Sequence, residues 1–300
     1  MLVTRLDLDG AGSPMGLVSK ILKHEPALKI PVPIDELALQ LDIGEIQDIE
    51  SDGFIGGLLT DDIRSFGLVL VQKRLDRRRR RFTIGHELGH FLSPFHKPVE
   101  AGKFVCTSKD MTQWPEGEQA RAVRMEAEAN QFSALMLMPP PHLRALIGKT
   151  GDPDFKHVLA IHETYDVSKD AAARAYVQYH ERKIAIALVK DGIVQRIYRD
   201  ASFPRLCVWK GNTVPQQTKF HYFGKAIGGI SAMSQIGGER WLETNRGDRI
   251  PNMYEQVMIQ SGGFAMVMLW VDTLDADDYD PDENRTSKQR LAERQGRWSR

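Results

Sequence analysis

Apolar and polar residues follow two different periods in the first half of the chain. Three segments have apolar residues at the spacing of a helix, and three shorter runs between the first two alternate as strands do. The helices are expected at residues 33–41, 81–93 and 125–138, and the strands at residues 43–49, 54–59 and 66–72. The order of these elements predicts an α+β domain over residues 30–145, in which a small antiparallel sheet lies beside the second helix.

The remaining residues divide into four segments by the same criterion. Residues 1–29 are weakly patterned and are expected to be an N-terminal extension with one short helix. Residues 146–182 predict a helical linker that resembles a helix-turn-helix, because Ser168 is a good N-cap between two helical stretches. Residues 183–274 contain two predicted hairpins, so they are expected to form a β-rich or α/β module. The charged residues 275–300 are expected to be disordered.

Charge and composition narrow the classes of function. Forty basic and forty acidic residues cancel, so no net charge draws the whole chain to nucleic acid or to an anionic membrane. No apolar run approaches the roughly 18 residues of a membrane-spanning helix, and the N-terminus lacks the apolar core of a secretion signal. The two cysteines, Cys106 and Cys207, lie in different predicted domains, which is typical of a reducing compartment. These features predict a cytoplasmic protein with no membrane partner.

The strongest local charge is the run Arg77–Arg81. A solvated segment that leads into the next helix is the favoured interpretation, and a nucleic-acid or acidic-substrate patch is the alternative. Arginines at a helix N-terminus act against the helix dipole. These side chains are therefore expected to have acidic partners, with the substrate as one candidate source.

The second predicted helix carries the sequence His86-Glu87-Leu88-Gly89-His90. Residues four apart lie on the same helix face, so the two histidines can present their imidazoles to one metal ion. Zinc bound in this way activates water, and a neighbouring carboxylate such as Glu87 takes the proton as the water attacks a carbonyl. The flanking residues are apolar, which places the motif on a largely buried helix. The motif predicts a metallopeptidase.

A third zinc ligand is needed, and two kinds of candidate follow the motif. His96 lies six residues after His90, but the spacing that uses such a histidine places a glycine where this chain has Ser93. The other candidates are Glu126 and Glu128, which point about 200° apart on a helix, so only one of them can face the metal. Glu126 is the preferred ligand because Ala129, Asn130 and Ser133 share its face. His96 is then a candidate oxyanion or cleft residue, with a plain loop position as the alternative.

The residues around the motif resemble a known family. Arg-Phe-Thr-Ile-Gly-His-Glu-Leu-Gly-His from Arg81, followed by Glu-x-Glu-Ala-Asn-x-Phe from Glu126, is similar to the ImmA/IrrE-type zinc metallopeptidases. The resemblance covers about residues 30–140 and continues more weakly to about residue 182. It implies a zincin-like peptidase domain, with His86, His90 and Glu126 as metal ligands and Glu87 as the catalytic residue.

The resemblance also carries expectations about the rest of the protein. It implies limited cleavage of a partner protein, often a helix-turn-helix repressor, so that proteolysis controls a stress or mobile-element response. Some members of the family have a helical linker and then a GAF-like domain, which corresponds here to residues 146–182 and 183–274. Two histidines and a carboxylate suit both zinc and manganese, so Mn²⁺ is the alternative metal.

Two other classes of function are carried as alternatives. One is a DNA-binding regulator with a structural metal site, in which the linker and the arginine run contact the duplex. The small, apolar second linker helix, with Ala171 and Tyr176, favours packing over contact with a groove. The other alternative is an antitoxin-type binding module that acts by complex formation. Glu87 argues against the DNA-binding regulator, because a structural zinc site needs no general base. The antitoxin-type module would keep its action if Glu87 were replaced by glutamine.

Overall fold

The computed structural model describes residues 1–97, 103–106, 116–224, 226–244 and 250–272. The chain divides into two compact units, each described here by itself. The N-terminal unit comprises Met1–Lys149 and Val158–Ala172, and the C-terminal unit comprises Thr150–His157 and the residues from Ala173 onward. The described residues form eight α-helices and two β-sheets, so the predicted α+β class is confirmed.

The helices of the first 180 residues begin and end where the sequence provides caps and breakers. They are α1 (Pro14–His24), α2 (Ile34–Gln40), α3 (Arg77–Leu92), α4 (Glu116–Leu137), α5 (Pro140–Ile147), α6 (Phe155–Tyr165) and α7 (Lys169–Tyr179). Asp76 is the N-cap of α3, and its side chain accepts hydrogen bonds from the backbone N–H groups of Arg78 and Arg79. Pro140 occupies the first turn of α5, where its missing N–H is not needed.

Helix α1 corrects the expectation of a peripheral N-terminal extension. Its residues Leu17, Val18 and Ile21 are at most 1% exposed, and α1 packs against α4. The first 29 residues therefore contribute to the core of the N-terminal unit. Their weak pattern reflects the shortness of the helix, because three buried apolar residues give little periodicity.

The first sheet has strands β1 (Ile43–Ile49), β2 (Gly56–Thr60), β3 (Gly67–Gln72) and β4 (Lys103–Cys106) in the order β1-β3-β2-β4. Strands β2 and β3 are antiparallel, and so are β2 and β4, but β1 and β3 are parallel. The sheet is therefore mixed, whereas the sequence predicted an antiparallel one. The alternation of side chains is the same in both kinds of pairing, so it did not reveal that β3 lies between β1 and β2.

Helices α3 and α4 approach closely because α3 has glycines at the contact. A Cβ atom added to Gly85 would lie 2.6 Å from Ser133 Oγ, and one added to Gly89 would lie 3.2 Å from the Cα of Ala129. Ser133 Oγ also donates a hydrogen bond to the carbonyl of Phe82, at 2.8 Å. This close packing brings the side chains of the two helices to one point.

The arginine run finds its acidic partners within the N-terminal unit. Asp166, whose side chain is 8% exposed, forms ion pairs with Arg77 at 2.7 Å, with Arg78 at 3.1 Å and with Arg81 at 3.4 Å. Arg80 pairs with Asp35 at 2.7 Å and with Asp48 at 3.0 Å. The expected partners therefore exist, and these carboxylates belong to the chain itself.

The C-terminal unit is built on an antiparallel sheet with the strand order β6-β5-β9-β8-β7. The strands are β5 (Lys183–Lys190), β6 (Ile193–Arg199), β7 (Ser234–Ile236), β8 (Met253–Ile259) and β9 (Phe264–Val271), and a short helix α8 covers Lys219–Tyr222. Both predicted hairpins are present. Ala265–Val271 are all buried, as expected for a central strand.

The predicted disordered tail at 275–300 lies outside the described residues. The zincin-like and GAF-like identities of the two units stay predictions. Within the described ranges, none of the helices combines the length and the apolar character that a bilayer-spanning segment requires.

Candidate metal centre

Helix α3 buries both histidines of the motif on one face. His86 is 7% exposed and His90 is fully buried. Their Nε2 atoms lie 3.1 Å apart, and the two rings meet edge to face. Spacing by four residues on a helix produces this arrangement, as the sequence predicted.

Helix α4 brings Glu126 to the same point. One carboxylate oxygen, Oε2, lies 3.3 Å from His86 Nε2, and the other, Oε1, lies 3.2 Å from His90 Nε2. These three residues could hold a metal ion, since their ligand atoms all lie within 4.8 Å of one another. Of the two predicted glutamates, Glu126 is therefore the one that faces the histidines.

The distances fit zinc. Two ligand atoms at about 2.0–2.1 Å from a tetrahedral zinc ion lie roughly 3.3–3.4 Å from each other. The observed separations among His86 Nε2, His90 Nε2 and the nearest Glu126 oxygens are 3.1, 3.2 and 3.3 Å. The donor set of two imidazoles and one carboxylate is also one that zinc accepts. A small outward movement of the side chains would complete the site.

The protonation of His86 is suited to a metal ligand. Its Nδ1 lies 3.2 Å from Asn130 Oδ1, which can only accept a hydrogen bond. Nδ1 therefore carries a proton, which leaves Nε2, the nitrogen nearest Glu126, as the one that could coordinate a metal. Asn130 is among the residues that the sequence placed on the face of Glu126.

Glu87 is fully buried beside strand β2. A Cβ atom added to Gly56 would lie 2.8 Å from Glu87 Oε1 and 2.3 Å from Thr83 Cγ2. Only glycine at this position lets the strand pass so close to the carboxylate. Gly56 is thus a residue of the site that the sequence reasoning missed. The pair Gly56-Gly57 inside the strand predicted at residues 54–59 was the signal that could have found it.

The charges in the centre shift the pKa values of its residues. Burial lowers the pKa of His90 to about 4, and the hydrogen bond to Glu126 opposes this only in part. Burial also disfavours the charged form of His86, but the hydrogen bond to Glu126 and the charges of Glu87 and Glu126 raise its pKa overall. Burial works against the charge of Glu126, yet its hydrogen bonds to both histidines hold its pKa well below the usual range. Glu126 is therefore an anion ready to receive a cation.

His96 lies behind His90. It is 1% exposed, its Nδ1 is 3.0 Å from His90 Nδ1, and its Nε2 is 3.1 Å from Glu128 Oε2. His90 turns its opposite nitrogen, Nε2, toward Glu126. Both nitrogens of His96 are thus engaged on the side of His90 away from Glu126. The predicted role of His96 as an oxyanion residue is not supported by this position.

Arg64 holds the end of α3, and nothing in the sequence pattern indicated it. Its guanidinium donates hydrogen bonds to the backbone carbonyls of His90 at 3.2 Å and Phe91 at 3.1 Å, and also to those of Ser93 and His96. A cation at a helix C-terminus satisfies the unpaired carbonyls there. Arg64 therefore fixes the turn that carries His96.

No protein-family model matches the chain, and no curated protein is significantly similar to it. A solved structure to which the chain is similar is described as a Mycobacterium tuberculosis transcriptional regulator. The two share 11% sequence identity, the similarity covers 88% of this chain and 89% of that chain, and the TM-score is 0.49. A likeness at this level carries no argument about function. The function is therefore argued from the site.

Proposed function

We propose that this protein is a zinc-dependent endopeptidase that makes limited cuts in a partner protein. The proposal is carried by one observation, the triangle of His86 Nε2, His90 Nε2 and the Glu126 carboxylate, with Glu87 buried on the same helix as the two histidines. When bound, zinc supplies a Lewis acid that activates water and polarises a peptide carbonyl. Manganese is the alternative metal, since imidazole and carboxylate ligands suit both.

In the proposed mechanism, three residues bind the metal and a fourth transfers protons. His86, His90 and Glu126 hold the metal. Glu87 accepts the proton of the attacking water and delivers it to the leaving amine, which is the role of a general base and then a general acid. Burial of Glu87 supports this role, because a base shielded from bulk water exchanges its proton with the bound reactants.

The proposed substrate is a helix-turn-helix repressor, as the family resemblance implies. Cleavage of such a repressor would switch transcription in a stress or mobile-element response. The test is to incubate a purified candidate repressor with the protein and to identify the fragments by mass spectrometry. Fragments should appear with the zinc-loaded protein, disappear after treatment with a chelator and return when zinc is restored. Fragments that persist in the chelator would exclude a metallopeptidase.

The DNA-binding alternative gains no support from the described residues. It requires the arginine run to be available for phosphates, yet Arg78, Arg80 and Arg81 are each ion-paired with carboxylates of the N-terminal unit. It also requires α7 to face a groove, but Ala172 and Tyr176 of this helix are fully buried. The ion-paired arginines and the buried face of α7 therefore favour the peptidase over a DNA-binding regulator.

Metal content is the first measurement, made by elemental analysis after dialysis on the wild type, Glu126→Ala and Glu128→Ala. The wild type should retain about one zinc per chain, and Glu126→Ala should lose it because one of three ligands is removed. Glu128→Ala should still fill its site when zinc is in excess, since Glu128 contacts His96 and not the triangle. A metal-free wild type, or zinc retained by Glu126→Ala, would overturn the proposed site.

A further inference from the structure

Behind the proposed metal site, the ligand His90 begins a chain of hydrogen bonds through three side chains that the peptidase mechanism does not use. His90 Nδ1 is 3.0 Å from His96 Nδ1, His96 Nε2 is 3.1 Å from Glu128 Oε2, and Glu128 Oε1 accepts a hydrogen bond from Arg124 Nε at 2.8 Å. His90 and His96 are at most 1% exposed, and Arg124 is exposed. The chain therefore runs from the buried ligand to the protein surface.

Once His90 Nε2 binds a metal, the donors and acceptors of the chain can be assigned in only one way. If His90 gives its Nε2 lone pair to a metal, its Nδ1 must carry the proton and donate it. His96 Nδ1 must then accept, so its proton lies on Nε2 and is donated to Glu128, which only accepts when ionised. Arg124, which can only donate, completes the series. When both histidines are neutral and Glu128 is ionised, every hydrogen bond in the chain is satisfied only if His90 is in the tautomer that binds metal.

We propose that His96 and Glu128 are positioning residues that fix the ring and the tautomer of the ligand His90. The proposal rests on the proposed metal site but not on peptidase activity. It replaces the oxyanion role that the sequence suggested for His96. A ligand histidine whose second nitrogen donates to a fixed acceptor binds metal more tightly, because its ring is held in place and its basicity is increased.

Hydrogen bonds of the backbone also hold His96 in place. Its N–H donates to the carbonyl of Ser93 at 3.2 Å, and Arg64 binds the carbonyls of both residues. The acceptor is thus presented by a turn anchored to the end of α3. His86 differs, because its Nδ1 partner is Asn130, which is exposed on α4. We therefore expect His90 to be the more rigidly held of the two ligands.

The test is the zinc affinity of the full chain, measured by competition with a chromophoric chelator. Loss of outer-shell partners of this kind weakens metal binding by about 10–100-fold. His96→Leu should show such a loss. His96→Asn should recover most of it, because its Oδ1 can take the place of Nδ1 as the acceptor from His90. Glu128→Gln, a change at a partly exposed residue that folding should tolerate, should weaken binding in the same direction by a smaller factor.

The control is His162→Leu, which removes another buried histidine of the same unit whose Nδ1 donates to the carbonyl of Val167. It should keep the zinc affinity of the wild type even if its unfolding temperature falls. Thermal unfolding of each metal-free variant separates a general loss of stability from a specific loss of affinity. If His96→Asn binds zinc more tightly than His96→Leu, packing alone cannot be the reason, because leucine fills the space of the histidine better than asparagine does.

The outcomes separate this inference from the proposed function. If the wild type binds zinc but His96→Leu and Glu128→Gln bind it equally well, the positioning role is wrong and the metal site stands. If the wild type binds no zinc, both fail. If the variants bind zinc more weakly while no repressor or peptide is ever cleaved, the positioning role stands and the peptidase is wrong.

Discussion

Both units bury polar side chains, but they use them differently. In the N-terminal unit His86, Glu87, His90 and His96 are at most 7% exposed, and the three histidines contact side chains that are themselves ionisable or polar. The contacts of His86 and His90 converge on Glu126, and His96 extends the cluster from the far side of His90. Buried polar groups are costly, and a cluster of this kind lowers stability unless something else completes it.

In the C-terminal unit the buried polar groups serve the backbone. Gln256 accepts a hydrogen bond from the N–H of Phe155 at 2.7 Å and donates one to the carbonyl of Ser231 at 3.2 Å. Glu255 accepts one from the N–H of Lys219 at 2.9 Å, at the start of α8. The comparison teaches that burial alone does not identify a site. The useful criterion is whether buried side chains converge on each other or satisfy main-chain groups.

Among the changes to these buried polar groups, the replacement of Glu87 with glutamine should have the largest effect on the rate of peptide cleavage. The amide has the size of the carboxylate but cannot accept the proton, so the rate of peptide cleavage should fall by about 10²–10⁴-fold. Zinc content should stay at the wild-type level, because Glu87 is not one of the three grouped ligands. Cleavage kinetics and elemental analysis on the same preparation measure both.

The matched control is Glu255→Gln, which changes another fully buried glutamate in the same way. Its cleavage rate should equal that of the wild type. Equal rates for Glu87→Gln and the wild type would remove the catalytic role and favour a binding module. A comparable loss in Glu255→Gln would show that the assay reports folding and not chemistry.

The next effect concerns the strand that passes over Glu87. Gly56→Ala introduces a methyl group where 2.3 Å separates it from Thr83 Cγ2 and 2.8 Å from Glu87 Oε1. Overpacking of this kind costs about 1–3 kcal/mol. We expect the free energy of unfolding in urea to fall by that amount and the cleavage rate to fall with it, because the carboxylate is displaced.

Gly44→Ala is the control for this change, since the added Cβ on β1 would be no closer than 3.8 Å to any neighbour. It should leave the cleavage rate unchanged and should not lower the free energy of unfolding by a comparable amount. If Gly56→Ala and Gly44→Ala unfold at the same urea concentration, the methyl group added at Gly56 does not overpack the contacts with Thr83 and Glu87.

The centre was predictable where one local pattern determined it. Spacing by four on a helix placed His86 and His90 together, and spacing by two separated Glu126 from Glu128. Most helix and strand positions were also within a few residues of those observed, because periodicity is a property of the segment itself, although α4 begins at Glu116 and not at the predicted residue 125. These inferences need no knowledge of what packs against the helix.

The missed features depend on contacts between distant segments. Gly56 meets Glu87 across 31 positions of the sequence, and Asp166 meets Arg77 across 89. The place of β3 between β1 and β2 is of the same kind. The periodicity of apolar and polar residues within a segment does not show which distant segments pair. His96 was noticed, but its role depends on which side of His90 it occupies, and that is set by the turn which Arg64 anchors.

The smallest effect concerns how Glu255 affects stability. Burial raises its pKa, and hydrogen bonds from the backbone of α8 oppose this only in part. Between the ordinary pKa of a glutamate, about 4.3, and the raised value, the folded protein binds more protons than the unfolded chain. Stability should therefore be greatest below that range and fall as pH rises through it, by at most about 1.4 kcal/mol per pH unit.

Glu255→Gln should remove this decline, because glutamine does not titrate and its side-chain oxygen can still accept from Lys219. Urea unfolding of the metal-free protein at several pH values between 4.5 and 8, compared with the wild type, measures the difference. Asp200→Asn, a change at a partly exposed carboxyl whose pKa is lowered by its hydrogen bonds to Ser202, should instead remove a rise of stability with pH, over a lower pH range. If Glu255→Gln keeps the wild-type slope, the buried carboxyl is not its source, and another group must titrate on unfolding.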